Sequence, residues 1–286
     1  MEEKNKIAPS TLYLVATPIG NLADISERAK KVLSEVDFIA AEDTRNSLKL
    51  LLALGIKNEL ISYHEHNKRA SGERIKARLL SGESCALITD AGMPAISDPG
   101  EDIVRECYDA GISVSVIPGA CAAVSALSVS GLPTGRFAFE GFLPYQKSER
   151  KKRLSLLSEE ERTMIFYEAP HKLCGTLSDM CEYFGADRCI SICRELTKLN
   201  EEAIRTTLSE ATELFEKKEP RGEFVLVVAG YSGRSNSLES EFFLSLSPAE
   251  HVERYISEGM SRMDAMKRAA AERGMTKSEL YKLLVN

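Results

Sequence analysis

The segment ITDAGMPAISDPG, from Ile88 to Gly100, combines carboxylates with glycines and prolines directly after the apolar run Cys85–Ile88. Asp90 and Asp98 can each offer a carboxylate to a cation or to a ribose hydroxyl. Their small neighbours leave backbone N–H and C=O groups open to an approaching ligand. A plain turn between two elements needs about two to five residues. We therefore predict that this longer segment binds a ligand.

Two other loops have the same composition and also follow apolar runs. They are TPIGN (17–21) and IPGACAAVSA (117–126), and both consist largely of Gly, Pro, Ala, Ser and Thr. If the apolar runs are parallel strands, all three loops lie at the carboxyl edge of one sheet. Ligands of open α/β sheets bind at that edge. The three loops together predict a binding site there.

The usual nucleotide-binding motifs do not explain these loops. The first loop has a single glycine instead of GxGxxG, although Glu42 or Asp43 lies about where a dinucleotide-binding acid would be. No strand is followed by Gly-Lys-Ser/Thr, which disfavours a P-loop. The site is expected to bind something other than NAD or a Mg-nucleotide.

The order of elements indicates an α/β fold in two domains. Apolar runs alternate with helical patterns over residues 1–119, which predicts βαβ units and a largely parallel sheet. Residues 120–231 read as a second α/β domain with more antiparallel pairing. The polar, Gly/Ser-rich stretch within 232–246 predicts a linker. Residues 247–286 predict short helices, with turns at Gly259 and Gly274 and a capping box from Thr276 to Glu279. They form either a helix-turn-helix-like module or a packing or dimerisation element.

Composition indicates an ordinary soluble protein. The chain has 286 residues, of which 43% are hydrophobic and 28% charged, and no apolar run approaches the ~20 residues of a membrane span. The charged N-terminus does not resemble a signal peptide, so a cytoplasmic location and no membrane partner are expected. Seven cysteines without a CxxC pair and only four histidines predict reduced thiols and no metal site.

The net charge of −6 argues against general polyanion binding, yet two stretches are strongly basic. They are NKRASGERIKAR (67–78) and QKSERKKR (146–153). Taken singly, each is more simply explained as a solvated helix face.

Eight motifs in register resemble the tetrapyrrole methylase superfamily of S-adenosylmethionine enzymes. They are LYLVATPIGNLADIS, AEDTR, ITDAGMPAISDPG, VIPGACAAVSAL, GFLP, YEAPHKL, RELTKLNEE and RGEFVLVV. The first loop reads ATPIG rather than GxGPG, which resembles the branch of the family that methylates ribosomal RNA. The resemblance covers about residues 11–230. It implies two α/β domains of tetrapyrrole methylase type, with the cofactor in the cleft between them and a small C-terminal helical module beyond.

The resemblance also implies a cofactor site for S-adenosylmethionine. The first loop would line the methionine side, the second would hold the amino-acid and sulfonium end, a helix N-terminus would present N–H groups, and one tyrosine would lie near adenosine. In that order, the implied residues are Pro18, Ile19 and Gly20; Asp90, Ala91, Gly92, Ile96 and Ser97; Ala120 and Cys121; and Tyr167.

The implied reaction is methylation of the ribose 2′-OH of a cytidine in the decoding region of 16S ribosomal RNA. The substrate would be the assembled small subunit or flexible RNA, and the enzyme a homodimer. Such a transfer needs close alignment of nucleophile and methyl group, and a base or cation could assist it. The candidates for this role are Asp43, Arg45 and Lys198, although Asp43-Thr44-Arg45 also fits a helix cap with a local ion pair. RNA-binding candidates are Arg45, His64, Glu65, Asn67, Lys147, Arg150, Lys151, Lys152 and Arg153.

Two other functions remain open from the sequence. The same fold could methylate a tetrapyrrole or a modified protein residue, although neither substrate requires a basic stretch at 146–153. A ribosome-associated protein could also keep the cofactor pocket without turnover. The positions of His64 and His66 fit a plain surface loop as well as they fit a functional role.

Overall fold

The computed structural model describes residues 6–232, 246–257, 260–273, 275–276, 280–281 and 283–284. Its N-terminal half is a parallel sheet in the order β3-β2-β4-β1-β5. The strands are β1 (Thr11–Val15), β2 (Phe38–Ala41), β3 (Leu60–Ser62), β4 (Cys85–Ile88) and β5 (Ser113–Ile117). The helices that connect them are α1 (Glu27–Glu35), α2 (Thr44–Ala53), α3 (Lys68–Leu80) and α4 (Gly100–Asp109).

Helices cover both faces of this sheet, so its central strands β2 and β4 are buried and apolar along their whole length. On β2, Ile39 belongs to one buried cluster with residues of α1 and α2, and the neighbouring Phe38 belongs to another with residues of α3 and α4. This alternation follows from the two-residue repeat of a strand. It explains why FIAA carries no polar residue.

The C-terminal half is a mixed sheet in the order β6-β7-β10-β8-β9. Its strands are β6 (Phe137–Phe142), β7 (Thr163–Glu168), β8 (Cys189–Arg194), β9 (Glu202–Thr207) and β10 (Phe224–Val228), and its helices are α5 (Ala122–Val129), α6 (Lys147–Leu157), α7 (Leu173–Phe184) and α8 (Leu208–Lys217). Only the β6–β7 pair is parallel, and the other three pairs are antiparallel. The antiparallel character predicted for this half is present.

The two faces of the second sheet pack against different partners. Helices α6, α7 and α8 cover one face around Phe166 and Leu226. Helix α5 covers the other face, where Ala126 packs with Val225 and Ile19 of the first loop joins the cluster. The small side chains of α5 allow this close approach of the two halves.

The observed architecture confirms the predicted fold class of two α/β sheets with additional C-terminal helices. The first sheet uses residues 11–117 and the second uses residues 137–228. The domain division at 119/120 stays a prediction. Among the described residues, no helix combines the length and apolar character needed to cross a bilayer.

Two further helices, α9 (Pro248–Ser257) and α10 (Arg262–Glu272), share a small core that includes Tyr255 and Ala269. Helix α9 begins as expected after Ser247, whose hydroxyl accepts a hydrogen bond from Glu250 N. The linker at 232–246 lies almost wholly outside the described residues, as do Gly259, Gly274 and the Glu279 side of the proposed capping box.

Several helix boundaries differ from the predicted ones because of local side-chain caps. The polar helical pattern of residues 146–162 predicts one helix over that range, but α6 ends at Leu157, since the Glu160 carboxylate accepts the Arg162 N–H and favours a turn. The helical spacing of residues 24–34 predicts a helix from Asp24, but α1 begins at Glu27, because the Ser26 hydroxyl caps it.

Candidate active site

A cavity of about 520 Å³ lies at the carboxyl edge of the first sheet and is closed on its other side by the second sheet. The first half contributes loop residues that follow β1, β2 and β4. The second half contributes the start of α5, the ends of β6, β7 and β8 and the start of β10. The lining residues are Ile19, Glu42, Thr89, Asp90, Ala91, Gly92, Met93, Ile96, Ser97, Asp98, Cys121, Ala122, Phe142, Tyr167, Glu168, Ala169, Pro170, His171, Cys193, Leu196, Glu223, Phe224 and Val225.

The loops after β1 and β4 are tied together by a short antiparallel bridge. Thr17 N donates to Gly92 O at 2.9 Å, and Gly92 N donates to Thr17 O at 3.1 Å. The Thr17 hydroxyl also donates to Thr89 O at 3.2 Å. Gly92 has φ +84°, and a Cβ there would stand 3.2 Å from Ile19 Cγ2. Glycine therefore lets the two loops meet at the cavity wall.

The loop after β4 holds two residues in a sparsely populated backbone conformation. Ala95 and Ser97 both have positive φ, 68° and 64°. Asp98 stabilises this path, because its Oδ1 accepts from Ala95 N at 2.9 Å and from Gly100 N at 2.7 Å. Its other oxygen, Oδ2, is buried and has no hydrogen-bond partner among the described residues. Strain of this kind persists where the surrounding structure demands it, often at binding sites.

The first-half wall is acidic. Glu42 accepts a hydrogen bond from the Thr89 hydroxyl at 2.6 Å, and Asp90 accepts one from Asn46 Nδ2 at 3.2 Å. Burial raises the pKa of Asp90, and the nearby carboxylates of Glu42 and Asp43 raise it further, against the opposing effect of the Asn46 hydrogen bond. A cation bound beside Asp90 would relieve this electrostatic cost.

Tyr167, on β7, anchors the wall made by the second half. Its hydroxyl oxygen accepts a hydrogen bond from Ala123 N at the start of α5, 3.2 Å away. Phe139 and Phe142 meet its ring edge-to-face, at centroid distances of 5.0 and 5.5 Å. Burial raises the pKa of Tyr167 to about 12, so the hydroxyl stays protonated at neutral pH.

Loop 195–201, which follows β8, connects this wall to the first loop. The Lys198 ammonium pairs with Glu195 at 2.9 Å and with Glu223 at 2.8 Å. A Cβ on Gly20 would overlap Lys198 Cγ, so the lysine stem lies directly on the TPIGN loop. Glu195 and Thr197 both have positive φ, and the buried Thr197 hydroxyl has no hydrogen-bond partner in the part of the chain that the structure describes.

The cavity gathers most of the residues that the resemblance implies for the cofactor, but their role stays a prediction. Ile19, Tyr167 and Cys121 line it, as do the five named residues of the loop after β4. Pro18, Gly20 and Ala120 are not part of its lining. Gly20 instead makes room for Lys198, and the Ala120 carbonyl lies behind Gly92.

Sequence reasoning missed much of the second wall, namely Glu168–His171, Cys193, Leu196 and Glu223–Val225. The only signal was that these residues lie within or beside YEAPHKL, RELTKLNEE and RGEFVLVV. On the first wall it named Glu42 and Asp98 without assigning either to the cofactor, and it did not name Thr89 or Met93, although both lie in the motif ITDAGMPAISDPG.

Asp43 and Arg45, the catalytic candidates of the first half, form the cap and ion pair that the sequence had allowed. Asp43 accepts from Arg45 N at 2.8 Å, and the Arg45 guanidinium reaches the same carboxylate at 2.8 Å. Hydrogen bonds from the Arg45 side chain, and then from its backbone, lower the pKa of Asp43 to about 2. Both residues lie outside the cavity lining, but the neighbouring Asn46 contacts Asp90.

The RNA-binding candidates of the loop after β3 mainly support one another. Asn67 Oδ1 accepts from His64 N at 2.8 Å, and its amide donates to Ser62. Glu65 pairs with Lys68 at 2.8 Å. His64 Nδ1 is buried, and none of the residues that the structure describes forms a hydrogen bond with it.

The basic residues of α6 divide into two groups. Arg150 pairs with Asp179 at 2.7 Å, Lys151 with Glu182 at 2.5 Å, and Arg153 with Glu140 at 2.5 Å. Lys147 and Lys152 are exposed. The ion pairs of the first group join α6 to α7 and β6 of the same half.

The fold and the cavity define a class of two-domain α/β proteins whose ligand lies between two sheets. The profile of the Tetrapyrrole (Corrin/Porphyrin) Methylases matches residues 11–212. The chain belongs to this family, as the sequence motifs had indicated.

Two relatives in particular resemble the whole chain. Ribosomal RNA small subunit methyltransferase I of Halalkalibacterium halodurans is 50% identical over 273 residues, which is 96% of this chain and 94% of that protein. The protein of the same name from Bacillus subtilis is 49% identical, and the alignment covers 94% of this chain and 92% of that protein.

A solved structure has the same two-domain fold. Uroporphyrin-III C-methyl transferase from Thermus thermophilus, complexed with S-adenosyl homocysteine, aligns with a TM-score of 0.54 and 18% identity. The alignment covers 77% of this chain and 97% of the other. The remainder of this chain therefore has no counterpart in that fold.

Proposed function

We propose that this protein transfers a methyl group from S-adenosylmethionine to ribosomal RNA of the small subunit, at the 2′-OH of a cytidine in the decoding region. The observation that carries the proposal is the cavity between the two sheets, with the carboxylates of Glu42, Asp90 and Asp98 on one wall and mainly aromatic and aliphatic side chains on the other. The names of the two relatives at about 50% identity support an rRNA substrate. The cytidine and the ribose oxygen come from the family resemblance.

The residues of the cavity fit this cofactor. A volume of about 520 Å³ lies in the range of small-molecule sites. The unpartnered Asp98 Oδ2 and the raised pKa of Asp90 mark carboxylates that a cationic ligand would stabilise. When bound, S-adenosylmethionine supplies a methyl group on a positively charged sulfur. A solved relative in the family has S-adenosyl homocysteine bound.

The protein would act mainly by positioning and by excluding water. Asp90 and Glu42 hold negative charge at the first wall, and Tyr167 and Ile19 provide apolar surface. Lys198 is poorly suited to be a general base: burial by itself would lower its pKa, but its pairs with Glu223 and Glu195 raise the pKa overall. Asp43 is a weak base because its ion pair with Arg45 lowers its pKa.

Lys198 and Arg45 therefore fit roles as cations better than as bases. Lys198 holds Glu223 and the TPIGN loop in place at the cavity. Arg45 has an exposed side chain beside the first wall and can contact an RNA phosphate while it keeps its bond to Asp43. The exposed Lys147 and Lys152 are further phosphate contacts in this proposal.

We further propose that the enzyme is a homodimer that works in the cytoplasm on the assembled small subunit. Apolar side chains exposed on β5 and α5, among them Val116 and Val124, support self-association. Sedimentation equilibrium tests this part, and a monomer at micromolar concentration would contradict it.

The test of the activity is methyl transfer from labelled S-adenosylmethionine to small ribosomal subunits from cells that lack the protein. Nucleoside analysis by mass spectrometry should give 2′-O-methylcytidine. A base-methylated product would contradict the ribose assignment. If S-adenosylmethionine binds but no methyl group reaches the RNA, the enzymatic proposal fails in favour of a non-catalytic ribosome-binding role. Parallel assays with a uroporphyrinogen substrate should give no product.

A further inference from the structure

An exposed aromatic ring with a cation at one side lies close in sequence to two residues that line the cavity. The Tyr145 side chain is 77% exposed, and Lys172 Nζ lies 5.0 Å from its ring centroid. Phe142, three residues before Tyr145, lines the cavity and is 56% exposed. His171, next to Lys172, lines it as well. The Tyr145–Lys172 pair is thus continuous along the chain with the cavity wall.

The structure holds both members of this pair in place. The ring of Phe142 packs on Tyr167, which fixes the end of β6. Arg150, whose side chain is only 12% exposed, pairs with the buried Asp179 and also donates to Tyr145 O at 3.5 Å. On the other segment, Lys172 N donates to Ala169 O at 3.0 Å. The pair is therefore attached to rigid elements rather than to a free loop.

Packing does not explain Tyr145. A tyrosine that is 77% exposed buries little apolar area and adds little to the stability of the fold. An exposed ring beside a lysine does suit an RNA base, because the base can stack on the ring while the ammonium group contacts a phosphate. The exposed Lys147, two residues after Tyr145, adds a second cation.

We propose that the Tyr145–Lys172 pair is a stacking site for an unpaired RNA base next to the nucleotide that enters the cavity. This inference rests on the proposed function and deepens it. For its ribose to reach the cavity between the two sheets, the target nucleotide would turn out of regular pairing, which leaves neighbouring bases unstacked. The Tyr145 ring would hold one such base and so position the target sugar.

The test compares Tyr145→Ala and Tyr145→Phe with Tyr108→Ala. Tyr108 is a matched control, because it is 67% exposed but lies on α4, outside the cavity lining. One probe is a short fluorescein-labelled oligocytidine, used intact and with all its bases replaced by abasic residues. The second probe is the small ribosomal subunit, purified from cells that lack the protein and used for methyl-transfer kinetics.

Tyr145→Ala should weaken binding of the intact oligocytidine about tenfold, as expected for loss of one stacked base. It should raise KM for the subunits by a similar factor, with kcat and the affinity for S-adenosylmethionine unchanged. Tyr145→Phe, which keeps the ring, and Tyr108→Ala should stay within about twofold of the wild type. All variants should melt at the wild-type temperature. Against the abasic oligonucleotide, Tyr145→Ala and the wild type should bind equally.

The inference is wrong if Tyr145→Ala binds the intact oligocytidine as the wild type does, or if it weakens the abasic probe by the same factor. It is also wrong if the wild type binds neither probe. A failure of the proposed function gives a different result: the wild type would transfer no methyl group, while the difference between intact and abasic probes would persist.

Discussion

The Asp90 carboxyl group lies in surroundings that disfavour its charged form. Burial is the main cause of its raised pKa, and Glu42 and Asp43 contribute repulsion. An ordinary aspartate releases its proton near pH ~3.9. Asp90 therefore takes up a proton at a higher pH than an ordinary aspartate, and loses its attraction for a cationic ligand as the pH falls through its raised pKa.

This charge gives a prediction for S-adenosylmethionine binding. Asp90→Asn should weaken the affinity about tenfold at neutral pH, since a hydrogen bond to a charged group is lost. Calorimetry at decreasing pH should show the wild-type affinity falling toward that of the variant. Asp109→Asn, at an exposed position on α4, is the control and should bind as the wild type does. An Asp90→Asn variant with unchanged affinity would remove this carboxylate from the site.

At the scale of elements, loop 195–201 is fitted against the TPIGN loop. The contact depends on the missing side chain of Gly20, because a Cβ there would overlap Lys198 Cγ and stand 3.0 Å from Thr197 Oγ1. Lys198 could avoid the overlap only by leaving Glu195 and Glu223.

Gly20→Ala should therefore reduce methyl-transfer activity about tenfold or more, as loss of the ion pairs displaces part of the cavity wall. Gly135→Ala is the matched control, since a Cβ at Gly135 has no neighbour within 4 Å. Steady-state kinetics on both variants measure the effect. Equal activity of the two variants would mean that loop 195–201 has no part in the site.

The contact between α6 and α7 gives a prediction for stability. The side chains of Arg150 and Asp179 are 12% and 5% exposed, so they form a largely buried ion pair. Asp179→Asn leaves the guanidinium without its counter-charge and should cost about 3 kcal/mol, which lowers the melting temperature by about 5 °C or more. Glu219→Gln breaks the exposed pair with Arg221 and should change little. Calorimetric melting of both variants decides whether the buried pair matters.

The same helix marks a limit of sequence analysis. QKSERKKR displays its cations in the sequence, but their partners Asp179, Glu182 and Glu140 lie on α7 and β6. No local pattern reveals which cation a distant carboxylate will neutralise. Local patterns were sufficient for the helices and strands themselves, except where a capping side chain such as Ser26 or Glu160 moved a boundary.

At the scale of the molecule, the two-sheet body has buried clusters of its own, since α9 and α10 pack around a separate cluster. The alignment with the Thermus thermophilus methyltransferase spans 97% of that chain and 77% of this one. A protein truncated after Ser232 should therefore fold and bind S-adenosylmethionine within about twofold of the full chain. Calorimetry measures the affinity, and methyl transfer to small subunits then reports whether the helical module contributes to RNA recognition. Loss of S-adenosylmethionine binding on truncation would contradict this division.

Sequence alone located one wall of the cavity better than the other. The loops after β1 and β4 could be predicted because parallel strands bring their carboxyl ends to one edge, whichever order the strands take. The second wall depends on which face of β7, β8 and β10 turns toward α5. That orientation follows from strand pairing between residues distant in sequence, such as Val225 with Tyr167 and with Cys193.

The shared cavity also has a consequence for how the protein denatures. Its walls come from both sheets, with Thr89–Asp98 on one side and Tyr167–His171 on the other. Any occupant must be released before either half can lose its structure, so a saturating ligand raises the melting point of both halves together. In a calorimetric scan, saturation with S-adenosylmethionine should move the unfolding of both halves to a higher temperature.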